Sequence, residues 1–423
     1  MLEGNLSELF NFLDTSTSPY HAANNVREYL LEANFNELDE QTPWELSTGG
    51  YFVERDGSIV AWYSRNENEA SNGLAIVAAH TDSPNLRLKP VLKGEQVGLS
   101  QFGIEVYGGA LLNSWLDRDL GISGRIVTLS PNSEIAESLV QISQPLAKIP
   151  QLAIHLNRSV NESGLIVNPQ QHLRPIWNDT SSDTSDLLDV ISSESGIERQ
   201  FIQSWDLMLH DLQRASLVGA DKQWIASARI DNLISCHAAI SSFIRNISDD
   251  QFTRVPMVCL FNHEEVGSTS AAGAAGNLLP SLIQRILKDS NYSEAMANSV
   301  LASADGAHAT HPNYLEKHDL DHEIRMNGGI AIKRNSNERY ATNAVGQAIA
   351  QMICDTNNIP YQLFSNRSDL ACGSTIGPIS SANLGISTID LGVPQLSMHS
   401  TRELCGKNDV KALEDFMFNF FKS

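Results

Sequence analysis

Six apolar residues stand in a row at positions 74–79, and five more at 257–261. Runs of that length suit strands better than helices. Because apolar and polar residues do not alternate in them, such strands need cover on both faces. The remaining pattern supplies that cover. Leu9, Phe10, Phe12 and Leu13, then Val26, Tyr29, Leu30 and Leu31, recur at helical spacing within the first 40 residues. Further helices are expected at 232–246, 277–288, 341–355 and 410–421, and further strands at 59–63, 299–304, 361–364 and 386–391. Strands and helices in alternation specify an α/β fold, with a mixed or parallel sheet between two helical layers.

Beyond Pro90 the texture changes. Short segments punctuated by Gly94, Gly98, Gly103, Gly108, Gly109, Gly121 and Gly124 read as a β-rich block. The expected organisation is therefore a discontinuous unit, 1–87 with 219–423, carrying a β-rich insertion at 88–218. Ser, Thr and Asp dominate 180–194, which reads as an exposed loop. Tyr107, Leu111 and Trp115 near the start of the insertion are candidates for an apolar patch facing a partner.

Composition narrows the function classes. Lys and Arg total 29 against 50 Asp and Glu, a net charge of −21 that repels phosphate backbones and argues against nucleic acid as a partner. No apolar run approaches the roughly 20 residues a bilayer demands. The opening Met-Leu-Glu-Gly-Asn has no basic start leading into an apolar block, so neither membrane nor export signal is expected. Five scattered cysteines without a C-x-x-C pair give no disulfide framework and no thiolate zinc site, as in a reducing, cytoplasmic setting.

The chemistry is expected at the carboxyl ends of the strands. One strand ends in His80-Thr81-Asp82 and another in Asn262-His263-Glu264-Glu265. A third ends in Asp305, with His308 and His311 close behind, and 386–391 leads on to Met398-His399. Asp231 sits where a helix begins. His80, Asp231, Glu265, Asp305 and His399 make a nitrogen–oxygen set that suits zinc, or cobalt or manganese in its place. Five ligands are too many for one open tetrahedral ion. They suffice for two divalent ions sharing a bridging carboxylate, for which Asp231 is the natural choice. Glu264 then remains as general base, and Asp82 to orient His80. His210, His237, His318 and His322 read as ordinary histidines. Other hydrolase signatures are absent: Gly267 replaces the second His of an H-E-x-x-H motif, and no G-x-S-x-G elbow or P-loop occurs.

These residues lie within motifs that resemble the aspartyl aminopeptidases, a family of di-zinc metallo-aminopeptidases. The resemblance runs nearly end to end, through Ser18-Pro19-Tyr20-His21, Ala79-His80-Thr81-Asp82-Ser83-Pro84, Tyr107-Gly108-Gly109, Trp115-Leu116-Asp117-Arg118-Asp119, Ala153-Ile154-His155-Leu156-Asn157-Arg158, Arg229-Ile230-Asp231-Asn232, His263-Glu264-Glu265-Val266-Gly267 and Ala307-His308-Ala309. It implies a zinc-exopeptidase fold and peptides with N-terminal Asp or Glu as substrates. Asp231 would bridge two zincs, with His80 and Asp305 completing one site and Glu265 and His399 the other. It places His308 and Lys333 in the substrate pocket and sends His155 into a neighbouring subunit's active site. The assembly it implies is a homododecamer built from dimers through the insertion. Two positions depart from the family pattern: Asn262 replaces a usual Asp, and Gly306 a usual Met. A general aminopeptidase or amide deacylase on the same site, and a non-catalytic oligomeric scaffold, are the competing expectations.

Overall fold

The computed structural model describes residues 2–65, 72–130, 132, 134–183, 186–287 and 292–422. A nine-stranded mixed sheet forms its centre, in the order Asn36–Glu37, Gly49–Arg55, Ser58–Ser64, Val255–Phe261, Leu74–His80, Val300–Ala304, Ser387–Gly392, Ile330–Arg334 and Tyr361–Ser365. The four strands from Val255–Phe261 to Ser387–Gly392 run parallel to one another. Their continuous apolar character has the expected cause. Ala75, Val77 and Ala79 face one core, and Leu74, Ile76 and Ala78 the other. Helices Leu2–Thr15, Pro19–Glu32, Ile230–Asp249, Ala344–Asn357 and Lys407–Phe420 contribute to the first core, while Leu278–Leu287, Tyr292–Ala297 and Ile376–Leu384 contribute to the second.

Between residues 85 and 211 the strands pair only with one another, among the described residues. Five of them, Ile135–Ala147, Leu120–Leu129, Ile202–Asp211, Asn85–Leu88 and Ile104–Tyr107, make an antiparallel sheet in that order. Its core is separate, built on Leu86, Phe102, Trp115, Ile122, Ile142, Ile191 and Leu209. Ser216–Val218 instead joins a third sheet with Trp224–Ser227, Glu403–Gly406, Pro394–Leu396 and Ala307–His308.

Two expectations need correction. The region 180–194 is not wholly loop, because helix Leu187–Ser195 forms there; positions 184 and 185 lie outside the described residues. Asp186 caps its start through the Leu188 N–H, and Leu187 and Ile191, one turn apart, bury against the inserted core. The patch proposed around Tyr107 and Trp115 is not on the surface either. Both side chains are buried, and only Leu111 is exposed.

One close approach fixes the central sheet against the backbone of Asp305. A Cβ at Gly392 would collide with the Asp305 carbonyl oxygen, so the strand passes against that backbone with no room for a side chain.

Candidate metal centre

His80 is the last residue of its strand and fully buried. Asp231 lies in the first turn of helix Ile230–Asp249, where it and Asn232 leave helical φ/ψ and are joined by a cis peptide bond. Glu264 and Glu265 occupy the short turn Glu264–Val266, entered through a left-handed His263 (φ 67°) and left through Gly267 (φ 92°). Asp305 follows strand Val300–Ala304 directly, its N–H donating to Leu391 O at 2.9 Å. His399 is not at the end of Ser387–Gly392. It sits in the turn between Pro394–Leu396 and Glu403–Gly406 of the third sheet, with φ 68°.

These residues, far apart in sequence, converge. His80 Nε2 lies 3.4 Å from Asp231 Oδ1, 3.5 Å from Asp305 Oδ1 and 4.0 Å from Glu264 Oε2. His399 Nε2 lies 3.4 Å from both Asp231 Oδ2 and Glu265 Oε2. Asp231 thus turns one oxygen to each imidazole. One donor atom each from His80, Asp231 and Glu265 lie within 4.8 Å of one another.

A layer of hydrogen bonds holds the cluster. His80 Nδ1 lies 3.0 Å from the carbonyl oxygen of Asp82, an acceptor that requires the proton on Nδ1 and turns the Nε2 lone pair to the cluster. The Asp82 carboxylate accepts from the Glu264 and Glu265 N–H groups, both at 3.1 Å, and from the Tyr107 hydroxyl at 2.7 Å. Glu403, also buried, accepts from Asp231 N at 2.9 Å and His399 N at 2.6 Å. Ser83 Oγ donates to Asp231 O at 2.6 Å, and Asn232 Nδ2 to Ala304 O at 2.8 Å. Sequence reasoning missed Glu403 and gave Tyr107 no role here. A lone acidic residue opening the otherwise uncharged strand Glu403–Gly406, four positions after His399, is the signal that pointed to the first.

Crowded carboxylates shape the electrostatics. Burial lifts Glu264 to about 8 in spite of the opposing His80, and Asp305 and Asp82 add to the rise. Glu265 is raised well above the ordinary range by burial and by Asp231. Burial also works against charge on Asp231, yet the two imidazoles facing it, His399 and His80, win and hold it well below the usual carboxylate value. Burial and the Asp82 carboxylate both raise the Tyr107 phenol, which therefore remains a proton donor.

This set fits a divalent cation. Asp231 Oδ1 and Glu265 Oε1 are buried without a hydrogen-bond partner, which is costly unless something else satisfies them. All the converging donors are nitrogen or oxygen. The one neighbouring thiol, Cys236, donates to His80 O instead.

The remaining expected residues divide. Lys333 is buried, and its Nζ donates to the carbonyls of Asp305 at 3.0 Å and Gly306 at 3.2 Å. His308, on the short strand Ala307–His308, is exposed. His155 lies in the exposed turn Ile154–Leu156 of the insertion and takes part in none of the cluster's polar contacts among the described residues. Asn262 uses both ends of its amide. Nδ2 donates to Asp56 O at 2.8 Å, and Oδ1 accepts from His263 N at 2.9 Å, so an ionised Asp would leave the Asp56 carbonyl without its donor. A Cβ at Gly306 would come within 3.0 Å of the Gln395 and Met398 side chains, both flexible at their ends.

Comparison with known proteins gives a consistent result. The family profile described as "Aminopeptidase I zinc metalloprotease (M18)" matches residues 12–421. An M18 family aminopeptidase 2 of Streptomyces coelicolor is 41% identical, over 99% of this chain and 98% of its own. One of Ectopseudomonas mendocina is 42% identical over 100% and 99%. Among solved structures, that of the Ape4 and Nbr1 complex superposes with a TM-score of 0.96 at 35% identity, over 100% of this chain and 86% of that one. The S. cerevisiae mApe1 dodecamer gives 0.86 at 29%, over 98% and 96%.

Proposed function

We propose, from the premise that this chain belongs to the M18 family of zinc metallo-aminopeptidases, that it removes N-terminal Asp or Glu from peptides at a two-metal site. The observation that carries the reading is Asp231, one oxygen toward His80 and the other toward His399. His80, Asp231 and Asp305 would hold one ion, and Asp231, Glu265 and His399 the second. The chemistry supplied by bound ions is Lewis acidity toward the scissile carbonyl and toward water. Glu264, beside His80 and outside both ligand sets, takes the proton from water and returns it to the leaving amine. Asp82 holds the turn that aims it. Water adds to the carbonyl carbon, the C–N bond breaks, and a free amino acid and a peptide shorter by one residue leave.

Support for the acidic preference is local, since the net charge of −21 opposes long-range attraction of acidic peptides. Lys333 is a cation anchored on the Asp305 and Gly306 carbonyls, one of them the carbonyl of a candidate ligand, with His308 on the next short strand. Strand pairing supports a division into an insertion, 88–218, and a catalytic unit, 1–87 with 219–423, with both joins lying a few residues earlier. At the joins, Asn85–Leu88 pairs within the inserted sheet and Ser216–Val218 outside it. Exposed Leu152, Ile154 and Leu156 flank His155 in sequence, and Ile166 further on is exposed too. They support a role for this arm in self-association into a homododecamer, with His155 reaching a neighbour's site. A cytoplasmic location draws its support from the cysteines, which are free thiols and, apart from Cys372, buried. No helix among the described residues is long and apolar enough to cross a membrane.

The decisive variant is Glu264→Gln. It should keep its metal content while kcat falls roughly 10²–10⁴-fold, and undiminished turnover overturns the assignment. On the wild type, faster cleavage of N-terminal Leu than of Asp or Glu overturns the acidic preference. A monomeric mass in solution overturns the assembly.

A further inference from the structure

The stretch 107–111, which leaves the inserted antiparallel sheet at Tyr107, touches three separate parts of the candidate metal centre. Tyr107 ends strand Ile104–Tyr107 and is paired with Asn85 across the sheet. The Arg87 guanidinium lies 3.8 Å above its ring, so the phenol is held from the inserted side. Its hydroxyl donates to Asp82 Oδ2 at 2.7 Å, on the carboxylate that also takes the Glu264 and Glu265 N–H groups. Gly108, at φ +70°, packs on Glu265: a Cβ there would lie 3.1 Å from Glu265 Cβ and 3.4 Å from Oε2. The Gly109 carbonyl lies 3.1 Å from His399 Nδ1, and the Leu111 N–H donates to the His399 carbonyl at 3.0 Å. A carbonyl can only accept. His399 therefore carries a proton on Nδ1 and is free to present the Nε2 lone pair toward Asp231 and Glu265.

We propose that 107–111 is a positioning clamp: the inserted sheet sets the tautomer of His399 and the orientation of Asp82, and so controls metal affinity at a site whose ligands all lie outside it. The clamp rests on the reading of the five residues as metal ligands. It acts at both ends of the cluster at once, on Asp82 behind His80 and on His399 across Asp231. A shift of the inserted sheet relative to the main one is therefore felt at both imidazoles.

Tyr107→Phe removes one hydrogen bond and keeps the ring and its stacking on Arg87. Zinc affinity measured by chelator competition should fall about 10–100-fold, the range that follows loss of a partner behind a ligand. The visible spectrum of the cobalt-substituted protein should change. At saturating metal, kcat should drop with KM within about twofold, and far-UV circular dichroism should match wild type. Gly108→Ala, which pushes on Glu265, should weaken metal binding in the same assays, and it decides the matter if Tyr107→Phe does not fold. Wild-type zinc affinity and cobalt spectrum in a folded Tyr107→Phe overturn the clamp. Asp231→Ala separates the two readings. If it binds metal like wild type, the site itself is misassigned; if it loses metal while Tyr107→Phe and Gly108→Ala retain it fully, only the clamp falls.

Discussion

The central sheet and the inserted sheet solve burial differently. In the central sheet, strand Leu74–His80 is buried at every position, and two cores share its side chains alternately. In the inserted sheet, the edge strand Ile135–Ala147 buries Val140 and Ile142 but leaves Ile135 and Leu139 exposed, Ile135 by 75%. A strand covered on both sides can end in a fixed direction, which suits ligands that must converge within a few ångströms. An edge strand with exposed apolar side chains keeps surface for another molecule. One region gives precision and the other contact, and one place where they meet is Arg125 of the inserted sheet, which reaches Asp56 on the main-sheet side.

The sharpest way to test that contrast is a pair of substitutions. Ile76→Ala, in the doubly covered strand, should cost about 2–5 kcal/mol in urea denaturation, because it opens a cavity between helices and sheet. Ile135→Thr should change stability by less than about 0.5 kcal/mol. A comparable cost at Ile135 would mean that this edge strand is covered in the assembled protein. Next in size is the junction. Arg125 also bonds Glu137 at 3.0 Å and Asp206 at 2.9 Å and lies 4.3 Å over the Tyr20 ring. Arg125→Met should cost about 1–3 kcal/mol in the same assay by leaving charge-assisted bonds unmade. A neutral result would mean that the two regions do not depend on this contact.

A smaller effect than at the junction is expected at Glu54, on strand Gly49–Arg55. Burial first, and Glu37 second, lift its pKa from 4.5 to about 7, and Glu137 of the inserted sheet adds to the rise. Between those values the folded protein holds a proton that the unfolded chain releases. This contribution to stability is thus complete below about 4.5 and lost as pH climbs through about 7. Glu54→Gln should melt within error of wild type at pH 5 and about one or two degrees higher at pH 8. Equal melting temperatures at both pH values would break this part of the comparison.

The same contrast governs how much could be read from sequence. The strand ending at His80 was legible because an unbroken apolar run has one physical explanation, and its end marks where polar chemistry begins. The convergence of His and carboxylate side chains was legible as residue types at strand ends. The route of the chain to His399, through a different sheet, was not. Tyr107 and Glu403 act through contacts that span 25 and 172 positions, and no local period reports those distances. The helix Leu187–Ser195 escaped because its two buried residues are a single turn apart, too brief a pattern to stand out from Ser, Asp and Glu.

Gly392 carries a last consequence. Its strand runs backbone against backbone with Asp305, whose carboxylate faces the cluster, while Lys333 hangs from the Asp305 carbonyl. Strand Ser387–Gly392, the backbone of Asp305 and the Lys333 ammonium thus meet at one seam. A substitution that displaces that strand would therefore drag the Asp305 donor atom along with it.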